Sequence, residues 1–231
     1  MGTSSMKIKD YLRLGFSEVS SYYRDYLKRR LVTDLNSLDF FVWEPPSVVC
    51  PCARFASSFG DRGQKLKGFL IIPICSYDGS VLGFEARKVS SDGSKFVLKY
   101  QTDRASWNPY FLGAKKVIDT LWRGTGDVWL VEGSFDFTAV EQAVPQSDAV
   151  MCTLRAGMTQ ITFDTLLRFY TPRSTIYIAY DNDETGRNKS QMLHRKFTEN
   201  GIRSGIWKYR GEDPNEVLSK GGFRMMKRMF S

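Results

Sequence analysis

Residues 128–137 read VWLVEGSFDF, and residues 174–186 read STIYIAYDNDETG. In each stretch an apolar run rich in β-branched and aromatic residues, typical of a buried strand, ends in acidic side chains. The acids are Glu132 after the first run and Asp181 and Asp183 after the second. In an open α/β sheet, the loops that follow the carboxyl ends of parallel strands carry the chemistry. The two stretches therefore predict parallel strands whose ends bring three carboxylates together.

Such a cluster of carboxylates implies a cation. Three carboxylates at one edge of a sheet would repel each other strongly unless a positive charge neutralised them. Their oxygen ligands suit hard divalent ions, so the pattern predicts Mg²⁺ or Mn²⁺ and phosphate chemistry. Acidic side chains at strand ends are also common on solvated surfaces, and the spacing alone leaves that alternative open.

The composition is that of a basic globular protein. The 231 residues include 33 Lys and Arg against 25 Asp and Glu, a formal net charge of +8. This charge suits a polyanionic partner held by its backbone, although it can also serve solubility alone. No apolar run of 18 residues predicts a membrane span, and the start of the chain lacks the apolar region of a signal peptide, so we expect a cytoplasmic protein.

The cysteine and histidine positions do not predict a zinc site. The four cysteines and one histidine are Cys50, Cys52, Cys75, Cys152 and His194. They lack the paired spacings of zinc modules, so no zinc is expected and the cysteines are expected to be reduced.

Two patterns divide the chain. Residues 6 to about 40 show helical spacing of Tyr and Leu, and residues 69–100 contain three apolar runs joined by Asp-Gly turns, which predict a small antiparallel sheet. Beyond residue 121, four strand-like runs alternate with three helical segments, which predicts a parallel sheet flanked by helices. The predicted organisation is an α/β protein with a disordered tail or tag over 1–5, a helical and antiparallel-sheet subdomain over 6–120, and a parallel-sheet subdomain with a C-terminal helix over 121–231.

Six segments between Leu70 and Gly221 resemble, in the same order, motifs of the RNA-polymerase domain of DnaG-type bacterial and phage primases, which is built around a Toprim fold. They are IPICSYDGSVLGFEARKV, LKYQT, VEGSFDFTAV, CTLRAGMT, DNDETGR and GEDPNEVL. The resemblance implies a Toprim parallel sheet and metal-dependent synthesis of short RNA primers from NTPs on a single-stranded DNA template. By the same resemblance, Glu132, Asp181 and Asp183 are the catalytic residues and the core metal ligands, with a role as general acid or base as the alternative for Glu132.

The resemblance also implies supporting roles. Asp136 is a candidate for an outer-shell metal role, with helix-dipole stabilisation as the alternative. Asp213 is a candidate to approach a second metal ion, with capping of the next helix as the alternative. The nucleotide-binding candidates are Arg87, Lys99 and Tyr100, and the candidates for nucleic-acid contacts are Lys115 and Arg187. For the charges on the antiparallel sheet, a solvated sheet edge is the alternative.

Two motif positions depart from the family, because Thr102 stands in place of an Asn and Asn215 in place of an Asp. The expected protein is a stand-alone or phage-type catalytic core, with a partner such as a replicative helicase or single-strand-binding protein supplying specificity. A Toprim nuclease and a non-catalytic nucleic-acid-binding module are the alternative functions, since the same acids can cleave as well as join phosphodiesters. No role follows for Arg155 or for residues 50–67.

Overall fold

The computed structural model describes residues 16–17, 41–43, 70–79, 81–87, 95–99, 111–154 and 157–217. The first five strands are β1 (Phe16–Ser17), β2 (Phe41–Trp43), β3 (Leu70–Cys75), β4 (Val81–Arg87) and β5 (Lys95–Lys99). Strands and helices then alternate as α1 (Ala114–Arg123), β6 (Val128–Val131), α2 (Ser134–Ala143), β7 (Ala149–Cys152), α3 (Gln160–Phe169), β8 (Ile176–Ile178), α4 (Glu184–Glu199) and β9 (Ser204–Ile206). The predicted change from hairpins to strand-helix alternation is confirmed.

The first sheet is antiparallel, with strand order β1-β2-β3-β4-β5. A tight turn joins β3 to β4, in which Gly79 has a φ of 79° and donates its N–H to the carbonyl of Ser76 at 3.0 Å. The prediction of a helix over residues 6–40 is wrong at Phe16–Ser17, because these residues pair as a strand with Val42–Trp43. Pairing with a distant strand outweighs local helical spacing there. The rest of that range lies outside the described residues. Towards the C-terminus, where a helix was predicted, residues 214–217 are helical, and the residues after them lie outside the described ranges.

The second sheet is parallel, with strand order β7-β6-β8-β9, as predicted. Successive residues of β6 face opposite sides of it. Trp129 and Val131 pack with α2, whereas Val128 and Leu130 pack with α1, α3 and α4. The sheet is therefore covered by helices on both faces, which explains why strands β6, β7 and β8 are apolar along their whole length.

The two sheets meet beside the turn between β6 and α2. Ile72 and Ile74 of β3 are fully buried and belong to the same hydrophobic cluster as Phe135 of α2. Close by, the buried hydroxyl of Ser134 donates to the Oε1 atom of the buried Glu85 at 3.0 Å. The antiparallel sheet is thus attached to the residues that directly follow Glu132.

Helix α1 was not anticipated from the sequence. It crosses the predicted subdomain boundary at residues 120 and 121, and its residues Val117 and Leu121 pack in the core of the parallel sheet. Within the described ranges, no helix is long and apolar enough to cross a lipid bilayer.

Candidate functional site

The three principal acids lie at one edge of the parallel sheet. Strands β6 and β8 are neighbours, with Leu130 opposite Ile178. Glu132 follows β6 directly, and Asp181 and Asp183 lie in the loop after β8. Because neighbouring parallel strands end at the same edge, both loops open on the same side of the molecule.

A buried tyrosine lies among these acids. Tyr209 is 8% exposed, and its hydroxyl donates to the carbonyl of Tyr180 at 2.8 Å. Burial raises the pKa of the Tyr209 phenol strongly, and four nearby carboxylates raise that pKa further. In decreasing order of effect, these carboxylates belong to Asp181, Asp136, Asp213 and Glu132. Acids from three separate segments of the chain therefore lie near one phenol.

The edge that carries Glu132, Asp181 and Asp183 is called the acidic edge below. Its carboxylate oxygens suit a divalent ion, but its side chains do not already form a set of metal ligands. Among the residues that the structure describes, no group of three or more His, Cys, Asp or Glu side chains is close enough together to hold a metal ion. All four acids near Tyr209 offer carboxylate oxygens, the ligands that Mg²⁺ and Mn²⁺ prefer. Several of these carboxylates are engaged by the protein itself.

Glu132 faces a cation of the protein. The Nζ atom of Lys189, on helix α4, lies 3.8 Å from the Glu132 Oε1 atom. Both side chains are partly buried, at 18% exposure for Glu132 and 26% for Lys189. Lys189 was not among the predicted site residues. The signal that could have identified it is its position on α4. It lies next to the buried stripe of the helix, three residues after Gly186 and one before Ser190.

Asp183 caps helix α4. Its Oδ1 atom accepts a hydrogen bond from the backbone N–H of Gly186 at 2.6 Å. A Cβ atom at position 186 would lie 2.0 Å from the carbonyl oxygen of Asp181. Glycine is therefore required for this loop to pack against the start of α4. Asp183 itself is exposed, so its carboxylate combines a capping role with access to solvent.

Asp136 joins two segments of the site. Its Oδ2 atom accepts from the N–H of Gly133 at 3.1 Å, and its Oδ1 atom accepts from the N–H of Asn215 at 3.2 Å. Both Asp136 and Asn215 are buried. The carboxylate thereby holds the GEDPNEVL segment against the turn after β6, and its predicted metal role stays a prediction.

The loop that follows β9 is held at the acidic edge by Asn182, which the sequence analysis did not single out. The backbone N–H of Asn182 donates to the carbonyl of Glu212 at 2.6 Å, and its side-chain amide donates to the carbonyl of Gly211 at 3.1 Å. In the same loop, Asp213 accepts from the N–H of Glu216 at 2.6 Å, which is the predicted capping contact. An amide between two acids in a loop after a strand is the signal that could have pointed to Asn182.

Two of the three predicted nucleotide-binding residues, Arg87 and Lys99, lie on the antiparallel sheet. The backbone of Arg87 pairs with Lys95, and that of Lys99 pairs with Gly83, so the two positions lie four residue pairs apart along β4 and β5. The side chains of both residues, and the whole of Tyr100, lie outside the described residues. Their roles stay predictions.

The two predicted nucleic-acid contacts differ in setting. Lys115 donates to Asp119 at 2.6 Å, a contact that raises the pKa of the lysine, and its ammonium lies 5.4 Å from the ring centre of Tyr77. Arg187 is exposed, and its Nη1 atom donates to the carbonyl of Asn182 beside the acidic edge. The structure therefore brings Arg187 close to the predicted site, while Lys115 lies on α1.

Comparison with known proteins locates this edge within a family domain. Residues 129–218, which contain Glu132, Asp181, Asp183 and Asp213, match a Toprim-like family model. The chain is also 27% identical over 136 residues to an uncharacterized protein of Mycoplasma genitalium. That match covers 59% of this chain and 58% of the relative, so the chain spans less than two thirds of the relative's length.

The whole described fold is similar to solved structures of primases. Against the RNA polymerase domain of Mycobacterium tuberculosis primase DnaG in complex with double-stranded DNA, the TM-score is 0.68 at 17% identity, covering 96% of this chain and 76% of that one. Against the DnaG primase catalytic domain bound to single-stranded DNA, the TM-score is 0.66 at 19% identity, covering 92% and 72%. At these identities the likeness demonstrates the fold, and the predicted resemblance to the primase RNA-polymerase domain is confirmed at that level.

Proposed function

We propose that this chain is the catalytic core of a DNA primase, which makes short RNA primers from NTPs on single-stranded DNA with the help of Mg²⁺ or Mn²⁺. The observation that carries the proposal is the set of four carboxylates near Tyr209, at the edge of a sheet whose fold is shared with primase RNA-polymerase domains. The similar structures include complexes with double-stranded and single-stranded DNA, which supports DNA as the partner here.

Glu132, Asp181 and Asp183 are the residues that would hold the ions. A bound divalent ion would neutralise these acids, polarise a phosphate oxygen and assist the attack of a 3′-hydroxyl. The chain's own contribution is to keep the carboxylates at one edge: Asp183 is fixed by its cap on α4, and Glu132 by its ion pair with Lys189. Tyr209 is a neutral phenol at physiological pH, and its raised pKa keeps it neutral in more alkaline solution, so it adds no charge to this acidic surface.

The substrates would be held by cations around the edge. Arg87, Lys99 and Tyr100 are the proposed contacts to the NTP, since all three belong to segments that resemble primase motifs. The sheet is attached to the turn after Glu132 through the contact between Ser134 and Glu85, which supports a shared cleft. Lys115 and Arg187 are the proposed contacts to the template strand or the RNA primer.

A direct test incubates the protein with a single-stranded template, Mg²⁺ or Mn²⁺ and labelled NTPs, with product length read on a gel. Growing products are expected, and Asp181→Asn should abolish them. Asp164→Asn is the matched control, because this exposed carboxylate on α3 accepts a hydrogen bond from Gln160 and lies outside the acidic edge. Shortening of the template would identify a nuclease instead, and strand binding without any reaction would identify a non-catalytic module.

A further inference from the structure

A cavity of about 240 Å³ opens beside Asp181, between helix α4 and the end of β9. We refer to it as the α4–β9 pocket. Its polar lining comes from Asp181, Asn182, Arg187, Ser190, Gln191 and Lys208. The volume is below the roughly 300 Å³ at which pockets for drug-sized molecules begin. The pocket therefore suits a phosphate or sugar-phosphate group better than a complete nucleoside triphosphate.

The lining is rich in hydrogen-bond donors and carries a net positive charge. Arg187 and Lys208 supply two positive charges, and Asp181 supplies one negative charge. In the part of the chain that the structure describes, neither cation takes part in an ion pair. Both side chains are exposed and keep N–H groups available for an anion. An anionic ligand is therefore favoured over a neutral or cationic one.

Arg187 is positioned in advance for such a ligand. Its Nη1 atom donates to the carbonyl of Asn182, whose side chain is itself bonded to the carbonyl of Gly211. A guanidinium has five N–H donors in a planar fork that matches the oxygens of a phosphate, so one internal bond leaves the others free to bind. Holding the side chain in place lowers the entropy cost of binding.

We infer that the α4–β9 pocket binds a phosphate group, supplied by the backbone of a nucleic-acid strand or by a nucleoside triphosphate. The inference rests on the proposed function, since it deepens how a polyanionic substrate approaches the acidic edge. Asp181 belongs both to the pocket and to the acids near Tyr209, so a phosphate bound here is a close neighbour of the reacting centre. Arg187 and Lys208 then offset the repulsion that the carboxylates would exert on the same substrate.

The test compares two double variants that each remove two positive charges. R187Q/K208Q alters the pocket, whereas R195Q/K196Q alters the same helix outside it, where Arg195 pairs with Glu199. Binding of a fluorescein-labelled thymidine oligonucleotide is measured by anisotropy across a salt series without divalent ions. The pocket variant is expected to bind the oligonucleotide roughly tenfold more weakly, because charge-assisted hydrogen bonds to phosphate are removed. Its log-log salt slope should shrink by about 0.7 for each phosphate that is no longer neutralised.

A second arm measures ATP binding with the same proteins, and equal melting temperatures check that all variants are folded. A selective loss of oligonucleotide affinity assigns the phosphate to the strand, and a selective loss of ATP affinity assigns it to the triphosphate. Equal behaviour of the two double variants in both arms would overturn the inference. The templated synthesis assay reports separately on the proposed function. If the wild-type protein synthesises primers while R187Q/K208Q binds the oligonucleotide and ATP normally, the phosphate pocket is refuted and the proposed function stands. A wild-type protein that binds neither ligand would refute both.

Discussion

Lys189 and Glu132 form an ion pair across the acidic edge, with 3.8 Å between Nζ and Oε1. The two residues lie on different elements, since Glu132 follows β6 and Lys189 belongs to α4. The ammonium group of Lys189 therefore supplies part of the positive charge that a divalent ion would otherwise supply to Glu132. It stabilises the carboxylate in the absence of metal and competes with an incoming cation.

This competition predicts that Lys189→Met binds Mn²⁺ more tightly than the wild type. The gross attraction at about 4 Å is about 4 kcal/mol near a protein surface. Solvent screening of a partly exposed pair leaves roughly 1 kcal/mol, or about a fivefold change in affinity. Lys196→Met, on the same helix and bonded to Gln160, is the control and should leave Mn²⁺ affinity unchanged. Titration followed by electron paramagnetic resonance measures both, and a weaker or unchanged affinity in Lys189→Met would contradict the competition.

The hydrogen bond between Ser134 and Glu85 predicts a measurable contribution to stability. Ser134→Ala removes a donor from a buried carboxylate, which should lower the free energy of unfolding by about 1–3 kcal/mol. Ser147→Ala removes an exposed hydroxyl and should change it by less than about 0.5 kcal/mol. Urea denaturation of the two variants provides the comparison. Equal stabilities would mean that the two sheets are held together without this contact.

Arg87→Ala and Lys99→Ala are predicted to raise the NTP concentration needed for half-maximal synthesis. Removing a contact to a phosphate costs about 1.5–3 kcal/mol, or more than tenfold in apparent affinity. Lys95→Ala is the control, because Lys95 is the backbone partner of Arg87 on β5 and carries the same charge as both target residues. If all three variants respond alike, these charges serve a solvated sheet edge.

The fold could be predicted largely from local sequence patterns, and the predictions that failed did so for physical reasons. Strands β6, β7 and β8 were recognisable because both faces of the sheet are covered there, so their apolar runs are continuous. Helix α1 was missed because it lacks the usual start signals: Gly113 provides no side-chain cap, and no acid lies in the first turn. β1 was missed because it depends on pairing with residues far along the chain.

In the site too, features set by the local sequence were predictable, whereas contacts between distant segments were not. The edge that carries Glu132 and Asp181 was predictable because each acid follows its own strand in sequence. The contact of Ser134 with Glu85 spans 49 residues, and the ion pair of Glu132 with Lys189 also joins distant segments. Such contacts depend on the packing of whole elements, which periodicity in one stretch cannot reveal.

Substitutions of Asp183 can separate the helix-capping role of its carboxylate from its proposed role as a metal ligand. Asp183→Ala removes the acceptor for the N–H of Gly186 and should cost about 1 kcal/mol of stability, together with all primer synthesis. Asp183→Asn keeps a good capping group and should retain stability, yet it should still lose synthesis because the charge is gone. Thr159→Ala, which removes the cap of α3 on the N–H of Thr162, should destabilise the protein similarly while leaving synthesis intact. Thermal melts and templated NTP incorporation on the three variants decide the point, and an active Asp183→Asn protein would restrict this residue to capping.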